Sequence, residues 1–305
     1  MTANIAILMC TYNGEKFLQE QLESFANQSF KDWHLFVYDD GSTDNTEDLI
    51  KTFKQNHKVS FVSNHLNLGF AKNFLNGIAS TDGNFDFYAL SDQDDIWLES
   101  KLEKALAYLQ KIDANIPALY CSRTILVDAT GNQIGYSPLF TKKPSFSNAL
   151  VQSIAGGNTM VFNKAAHDLI IKAGSDINVV SHDWFIYQLI AGAEGFIYYD
   201  SSPGLLYRQH GSNIIGANND FFARLSRLKM LLNNSFRSWN DRNIKILLDN
   251  SNILTKDNKS KLNRFIKARE SSLFPRVTGF LKCKIYRQTL LGNIALFVGG
   301  VLNKI

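Results

Sequence analysis

Residues 89–98, ALSDQDDIWL, place three carboxylates within four positions, directly after an apolar run that begins at Phe85. The length and composition of that run are typical of a buried strand. Carboxylates crowded at a strand end need solvent or a cation, because an unpaired buried charge is strongly destabilising. An Asp-x-Asp spacing of oxygen ligands suits Mg²⁺ or Mn²⁺, which substrate phosphates often help to bind. The segment therefore predicts either a metal site for a phosphorylated ligand or a solvated acidic loop that caps the next helix.

Three earlier apolar runs share this strand character and alternate with helically spaced apolar residues. These strands are predicted at Ile5–Met9, Trp33–Tyr38 and Val59–Val62. Such alternation predicts an α/β fold with a Rossmann-like, mostly parallel sheet flanked by helices. Polar residues follow three of the strands, at 11–13, 39–40 and 92–95. Because ligands of such sheets bind beyond the carboxyl ends of the strands, these motifs predict one common site.

Composition and charge divide the chain into two regions. The 305 residues are 45% hydrophobic and 20% charged, as in a globular protein of one large or two ordinary domains. Residues 1–220 carry a net charge of −9 and residues 221–305 a net charge of +13. We therefore predict a catalytic domain over 1–220 and a basic helical region over 221–305. Three scattered cysteines predict a reducing compartment, and the first 14 residues lack the regions of a signal peptide.

Two common nucleotide-binding devices are missing from the sequence. No GxxxxGK[ST] loop occurs, and no GxGxxG follows the first strand, which argues against a P-loop NTPase and a dinucleotide-dependent dehydrogenase. A metal-dependent nucleotidyltransferase stays an alternative, although residues 11–15 do not form its expected glycine-rich, basic loop. A non-catalytic nucleotide-sugar-binding relative is the other alternative.

The motifs together resemble those of the family 2 glycosyltransferases, nucleotide-sugar-dependent enzymes of GT-A fold. The matching segments are CTYNG (10–14), NQS (27–29), YDDGSTD (38–44), NLGF (67–70), SDQDD (91–95), GGN (156–158), HDW (182–184) and YRQHG (207–211). They cover residues 4–215, and their order and spacing carry the resemblance. SDQDDIW with the later HDW and RQHGSN is most similar to a bacterial subgroup that includes rhamnosyltransferases of cell-surface polysaccharides.

The resemblance implies a donor site at the strand ends. Thr11, Tyr12 and Asn13 would line the pocket for base and ribose. Asp39 or Asp40 would accept a hydrogen bond from a pyrimidine base, while the other only caps.

The resemblance also assigns the acidic cluster and the segment 207–211. It places Asp92 toward the ribose and Asp94 on a divalent metal, Mn²⁺ or Mg²⁺, with Asp95 assisting or orienting. Arg208 would bind the diphosphate through its planar guanidinium, and His210 would bind the metal or a phosphate. A surface role for Arg208 and His210 is the alternative that the residues alone would favour.

Catalytic and acceptor-side roles follow from the same resemblance. An inverting displacement needs a base that deprotonates the acceptor hydroxyl, and Asp183 occupies the matching position. His182 replaces the glutamate of many relatives, so its role is open between catalysis and packing. Gly157, Asn158 and Trp184 would lie on the acceptor side, although Trp184 could equally be core.

The basic C-terminal region suggests a partner. Residues 288–303 are 16 residues without a charged side chain, which falls short of the roughly 20 residues needed to span a membrane. Basic helices around them predict attachment to an anionic leaflet, with a helical cap or a homodimer interface as the alternative. Nucleic acid is not expected, because no recognised binding motif accompanies the charge.

The sequence thus predicts an inverting glycosyltransferase, cytoplasmic and peripheral on the inner face of the bacterial membrane. It would transfer a sugar from a nucleoside diphosphate to a hydroxyl of a lipid-linked or growing cell-surface polysaccharide. Rhamnose from dTDP-rhamnose is the first expectation for the donor, and a UDP-hexose is the second.

Overall fold

The computed structural model describes residues 3–64, 67–81, 84–210 and 234–305, which form two compact units. Of the described residues, the first unit contains 3–139, 155–177 and 195–210, and the second contains 140–154, 178–194 and 234–305. Segments 140–154 and 178–194 therefore group with the C-terminal helices, although the sequence assigned them to the catalytic domain. The predicted boundary at 220/221 and residues 221–233 of the predicted basic helical region lie outside the described residues.

The first unit is built on one mixed sheet with the strand order β3-β2-β1-β4-β8-β6-β9-β5, and β7 pairs with β6. Its strands are β1 (Ile5–Thr11), β2 (Trp33–Asp39), β3 (Val59–Ser63), β4 (Phe87–Ser91), β5 (Ile96–Trp97), β6 (Ala118–Val127), β7 (Gln133–Tyr136), β8 (Val161–Asn163) and β9 (Phe196–Arg208). Strands β1 to β4 are mutually parallel, as predicted. Beyond β4 the pairing is antiparallel except between β6 and β9, so the sheet is less parallel than expected.

Helices cover both faces of this sheet. They are α1 (Glu15–Ala26), α2 (Thr46–Lys54), α3 (Phe70–Ser80), α4 (Lys101–Leu109) and α6 (Lys164–Ala173). Alternate residues of β1, such as Ile5 and Ile7, form one core with apolar side chains of α1, α2 and α4. On the other face, Tyr88 of β4 stacks on His167 of α6, whose Nε2 lies 3.1 Å from the Ile78 carbonyl oxygen of α3.

The second unit is helical, with α5 (Phe146–Ala149), α7 (His182–Gly192), α8 (Ser235–Asp249), α9 (Lys256–Glu270), α10 (Leu273–Cys283) and α11 (Leu290–Val301). Asn258 of α9 donates through Nδ2 to the carbonyls of Ala191 and Gly192 at the end of α7. Several arginines serve as internal ties rather than as a free basic surface. Arg269, for example, donates to the Ile305 carbonyl and to Asp241 of α8.

Candidate active site

Thr11 and Asp39 end the paired strands β1 and β2, where they are partners in register. The Asp39 carboxylate is buried and accepts four hydrogen bonds. Oδ1 accepts from the hydroxyls of Thr11 (2.7 Å) and Ser42 (2.5 Å), and Oδ2 accepts from the Ser42 amide (2.8 Å) and the Ser63 hydroxyl (3.3 Å). A carboxylate has about four acceptor positions. Asp39 is therefore saturated by its own protein, and it ties the ends of β1, β2 and β3 together.

Asp40, the next residue, has a different environment. Its Oδ1 accepts from the Leu68 amide and its Oδ2 from the Gly69 amide, each at 2.8 Å, which fixes the turn that enters α3. Each oxygen thus accepts one bond from these amides and has a second lone pair. Of the two aspartates that the sequence could not separate, Asp40 is the one with acceptor capacity left.

Backbone and side-chain amides join the loops that follow β1, β2 and β4. Gln93 accepts from the Tyr12 amide at Oε1 (2.9 Å) and donates from Nε2 to the Tyr12 carbonyl (3.0 Å). Asn13, at φ 47°, donates its amide to the Ser42 hydroxyl and accepts from the Thr43 amide at Oδ1, both at 2.8 Å. The phenol-bearing residue Tyr12 is 48% exposed. The loop after β1 therefore has a fixed backbone and offers the Tyr12 side chain to solvent.

Asp95 anchors the acidic loop from inside the unit. It is fully buried, and its Oδ2 accepts from Asn158 Nδ2 (2.6 Å) while its Oδ1 accepts from the Arg208 amide (3.3 Å). Burial raises the pKa of Asp95 well above its usual range, and the charges of Asp92 and Asp94 raise it further. Asn158, expected on the acceptor side, is 4% exposed and serves this anchor instead. Gly157 opens the short 3-10 helix Gly157–Thr159 that holds Asn158 in place.

Lys101 completes this buried group. Its Nζ donates to the Asn158 carbonyl at 2.5 Å and lies 3.2 Å from the centre of the Trp97 ring. Burial lowers the pKa of Lys101 well below its usual range, against the opposing charges of Asp95 and Asp92. Burial therefore shifts the ionisation equilibria of both Asp95 and Lys101 toward their neutral forms.

Arg208 is 1% exposed and supports the acidic loop from behind. Its guanidinium donates from Nε to the Asp94 carbonyl (3.1 Å), and from its two terminal nitrogens to the Ala129 carbonyl (3.0 Å) and to Glu20 (2.8 Å). The ring of Phe17 lies 4.6 Å below it. All three nitrogens of the guanidinium therefore donate to protein acceptors, which leaves fewer donors for the predicted contact with a diphosphate.

Asp94 and His210, the two residues predicted to bind a metal, are in contact, with Asp94 Oδ2 2.7 Å from His210 Nε2 and both side chains still partly exposed. Within the described ranges, no group of three or more His, Cys, Asp or Glu side chains forms a complete metal site. The Asp94 carboxylate nevertheless suits a divalent cation, since Mg²⁺ commonly takes one or two carboxylates beside phosphate and water, and a neutral imidazole such as that of His210 can bind Mn²⁺.

Asp92 lies on the same edge and is half-buried. Burial raises the pKa of the Cys10 thiol near the end of β1, and the charges of Asp92 and then Asp40 raise it further. Both carboxylates are therefore close to the end of β1, so the ends of β1, β2 and β4 converge as the sequence predicted.

Of the residues assigned to catalytic and acceptor-side roles, Asp183 and Trp184 lie in the second unit, at the start of α7. Asp183 is half-buried in the first helical turn, and its Oδ1 accepts from the Trp184 amide at 2.7 Å. Trp184 is 5% exposed and donates to the Ala149 carbonyl at 2.6 Å, as a core residue does. Burial lowers the pKa of His182 to about 4, opposed by the charge of Asp183, so His182 is neutral at neutral pH. For Trp184, its burial and its bond to the Ala149 carbonyl favour a core role, the second of the two alternatives, over a contact with the acceptor.

The sequence did not single out several residues that shape this site. Gln93, Ser42, Glu20 and Lys101 all make contacts that fix its loops. Gln93 and Ser42 carried a signal, because they stand inside the SDQDD and YDDGSTD motifs. Glu20 and Lys101 lie one or more elements away in sequence and become neighbours of the site only through the fold.

Comparison with known sequences supports the family resemblance. A model of Glycosyl transferase family 2 matches residues 6–170. The dTDP-rhamnosyl transferase RfbG of Shigella flexneri is 31% identical over 275 residues, which are 85% of this chain and 91% of that protein.

Comparison with solved structures supports the fold. S. aureus TarS in complex with UDP superposes with a TM-score of 0.58 at 15% identity, covering 99% of this chain and 89% of that chain. Mannosyltransferase PcManGT from Pyrobaculum calidifontis, in complex with GDP-Man and Mn²⁺, gives 0.52 at 14% identity, covering 100% of this chain and 87% of that chain. At these identities the likeness concerns the fold alone, and it confirms the predicted GT-A architecture.

Proposed function

The chain belongs to glycosyl transferase family 2 and is a glycosyltransferase, and we propose that it transfers rhamnose from dTDP-rhamnose during the synthesis of a cell-surface polysaccharide. The relative named dTDP-rhamnosyl transferase supports this donor because the match covers most of both chains. A hexose from a UDP-sugar is the second candidate for the donor. The acceptor is a hydroxyl of a lipid-linked or growing polysaccharide, met at the inner face of the bacterial membrane.

The observation that carries the proposal is the convergence of donor-site residues at the ends of β1, β2 and β4. Thr11 and Tyr12 line the pocket for base and ribose together with Asn13. Asp40 accepts the pyrimidine N–H, because Asp39 already accepts four bonds from the protein. A ring N–H donor distinguishes thymine and uracil from cytosine, whose corresponding nitrogen is an acceptor.

Asp92, Asp94 and His210 bind the sugar nucleotide beyond the base. Asp92 takes the ribose, and Asp94 with His210 takes a divalent cation, Mn²⁺ or Mg²⁺, that supplies positive charge to the departing diphosphate. The Mn²⁺ in the complex of the mannosyltransferase neighbour supports this choice. Arg208 acts as a positioning residue, because its donors hold the Asp94 carbonyl, Ala129 and Glu20.

Asp183 is the base of an inverting displacement. The acceptor oxygen attacks the anomeric carbon, the bond from that carbon to the diphosphate breaks, and the acceptor proton passes to the Asp183 carboxylate. The first turn of α7 keeps this side chain in place through the bond from the Trp184 amide. His182, buried and neutral beside it, packs the helix start.

The test is calorimetric titration of the full chain with dTDP, UDP, GDP and CDP, each with and without Mn²⁺. We expect tighter binding of dTDP or UDP when Mn²⁺ is present, and the tighter of the two selects rhamnose or hexose. Asp94→Asn should lose the metal dependence and the turnover, whereas Asp168→Asn, an exposed carboxylate on α6, should change neither. Asp183→Asn should lose turnover and keep donor binding.

Two outcomes would contradict the proposal. Near-normal turnover of Asp94→Asn would remove the metal role from that carboxylate. Absence of binding by any of the four nucleotides would favour a relative without catalytic activity.

A further inference from the structure

Helix α11 of the second unit has its apolar residues on the outside. Five side chains with 39–77% exposure follow one helical face: Leu290, Leu291, Ile294, Phe297 and Val298. Their spacing of three and four residues keeps them on a single stripe. The opposite face is buried and includes Leu296, Gly299 and Gly300. A surface helix of a soluble protein usually carries polar side chains on its exposed face, so this stripe needs an apolar partner.

Helix α10 also exposes large apolar side chains. Phe274 is 79% exposed and Leu281, two turns later on the same helix, is 70% exposed. The two helices are in close contact, since a Cβ built on Gly300 of α11 would lie 3.2 Å from the Phe280 ring of α10. We call the exposed residues Phe274, Leu281, Leu290, Leu291, Ile294 and Phe297 the apolar face.

Charged side chains in this part of the chain have one sign. Residues 271–305 contain five lysines and arginines and no aspartate or glutamate. Lys282 and Lys284 are exposed directly after Leu281, whereas Arg276 donates to the Ser271 and Gly300 carbonyls and belongs to the interior. The apolar face is thus bordered by two exposed lysines in a segment without acidic side chains.

We propose that the apolar face and its lysines dock the protein on a bilayer that contains anionic lipid. This proposal rests on the proposed function, because a lipid-linked acceptor is presented at such a surface. No helix in the described ranges is long and apolar enough to cross a membrane, and α11 has 12 residues. The geometry points to a helix pair lying in the plane of the headgroups, with large apolar side chains entering the acyl region.

The charge distribution favours a bilayer over a second copy of the chain. Two copies joined through the apolar face would bring cationic segments together without an aspartate or glutamate in residues 271–305 to compensate them. Lipid phosphates provide that compensation, and each lysine near an anionic surface strengthens binding about fivefold.

The experiment is flotation of the full chain with vesicles of phosphatidylcholine alone and of phosphatidylcholine with phosphatidylglycerol. We expect binding to the anionic vesicles and much weaker binding to the neutral ones. Leu290→Gln, Ile294→Gln and Phe297→Gln combined should lower the affinity at least about tenfold, since three side chains leave the acyl region. Lys282→Gln should lower it about fivefold on anionic vesicles only.

A matched control carries three equally polar changes on the first unit: Val62→Gln, Ile134→Gln and Leu139→Gln, at positions of 47–58% exposure. It should float like the unaltered chain. Equal loss in control and test variants, or equal binding to neutral and anionic vesicles, would overturn the proposal. So would a dimer in sedimentation that the α11 variant dissociates, since the apolar face would then join two copies. Nucleoside diphosphate binding, measured on the same samples, separates a failed membrane surface from a failed donor site.

Discussion

Asn158→Ala tests whether Asn158 supports the acidic loop or contacts the acceptor. The substitution removes the 2.6 Å hydrogen bond from Nδ2 to Asp95 Oδ2. Asp95 is fully buried, so water does not replace the lost donor. Leaving a buried acceptor without its hydrogen-bond partner costs about 1–3 kcal/mol, and the small cavity left by the amide adds to the loss. We expect the free energy of unfolding to fall by about 2–3 kcal/mol.

The same change should weaken donor binding. Asp95 precedes β5 and follows Asp94 directly, so a looser Asp95 displaces the carboxylate that we propose holds the metal of the donor site. If about half of the lost interaction energy appears in loop position, nucleoside diphosphate affinity falls roughly tenfold. Urea unfolding followed by tryptophan fluorescence measures the first effect and calorimetry the second. Asn115→Ala, in an exposed turn, is the control and should change unfolding by less than about 0.5 kcal/mol.

The reasoning would be refuted by unchanged unfolding and unchanged donor affinity together with a raised KM for the acceptor. That result would return Asn158 to the acceptor side.

Three further predictions concern packing and ionisation. Arg208→Lys should lower the free energy of unfolding by about 2–4 kcal/mol, because an ammonium cannot donate in the three directions of the guanidinium. Glu20→Gln removes only the half-exposed charged partner of Arg208 and should cost under about 1 kcal/mol in urea unfolding. Equal effects of the two substitutions would contradict the reasoning. Gly77→Ala should lower the free energy of unfolding by about 1–3 kcal/mol, because the new Cβ would lie 2.7 Å from the ring of buried Tyr38. An unchanged midpoint of thermal unfolding would disprove this close approach. His182 has a folded-state pKa of about 4 against an ordinary 6.5, so the unfolded chain binds more protons than the folded chain between these values. The free energy of unfolding should therefore fall as the pH decreases from 6.5 to 4. His182→Gln should remove this pH dependence, and the same pH dependence in the variant would assign it to another group.

The alternation of strands and helices up to residue 97 could be predicted because each buried strand ends at a polar motif. Strand β9 shows where such prediction fails. The apolar run within residues 195–199 predicts a short strand that ends there, but β9 continues to Arg208. The four residues from Asp200 to Pro203, with two serines between them, are typical of a turn. Register shifts in the pairing with β6 near Arg123 accommodate them, and the Asp200 carboxylate accepts from the Ser202 amide and the Tyr120 hydroxyl.

The site shows a similar division between residue type and residue role. The positions of Asp40, Asp94 and His210 could be predicted from strand ends and motif spacing. The sequence could not predict which donors of Arg208 remain for a ligand, because its partners Glu20 and Ala129 are far from it in sequence. In the same way, the choice between Asp39 and Asp40 depends on counting hydrogen bonds from three separate loops.

The paired hydrogen bonds between Gln93 and the Tyr12 backbone have a consequence for how such sequences diverge. Both partners of the Gln93 amide are main-chain atoms, so no change of side chain at position 12 can compensate a change at position 93. Gly14 is different, because a Cβ there would lie 2.4 Å from Gln93 Oε1. In an alignment of homologues, position 93 should therefore covary with position 14 and not with position 12. The middle position of the Asp-x-Asp pattern, position 93, would then vary only together with the glycine at position 14.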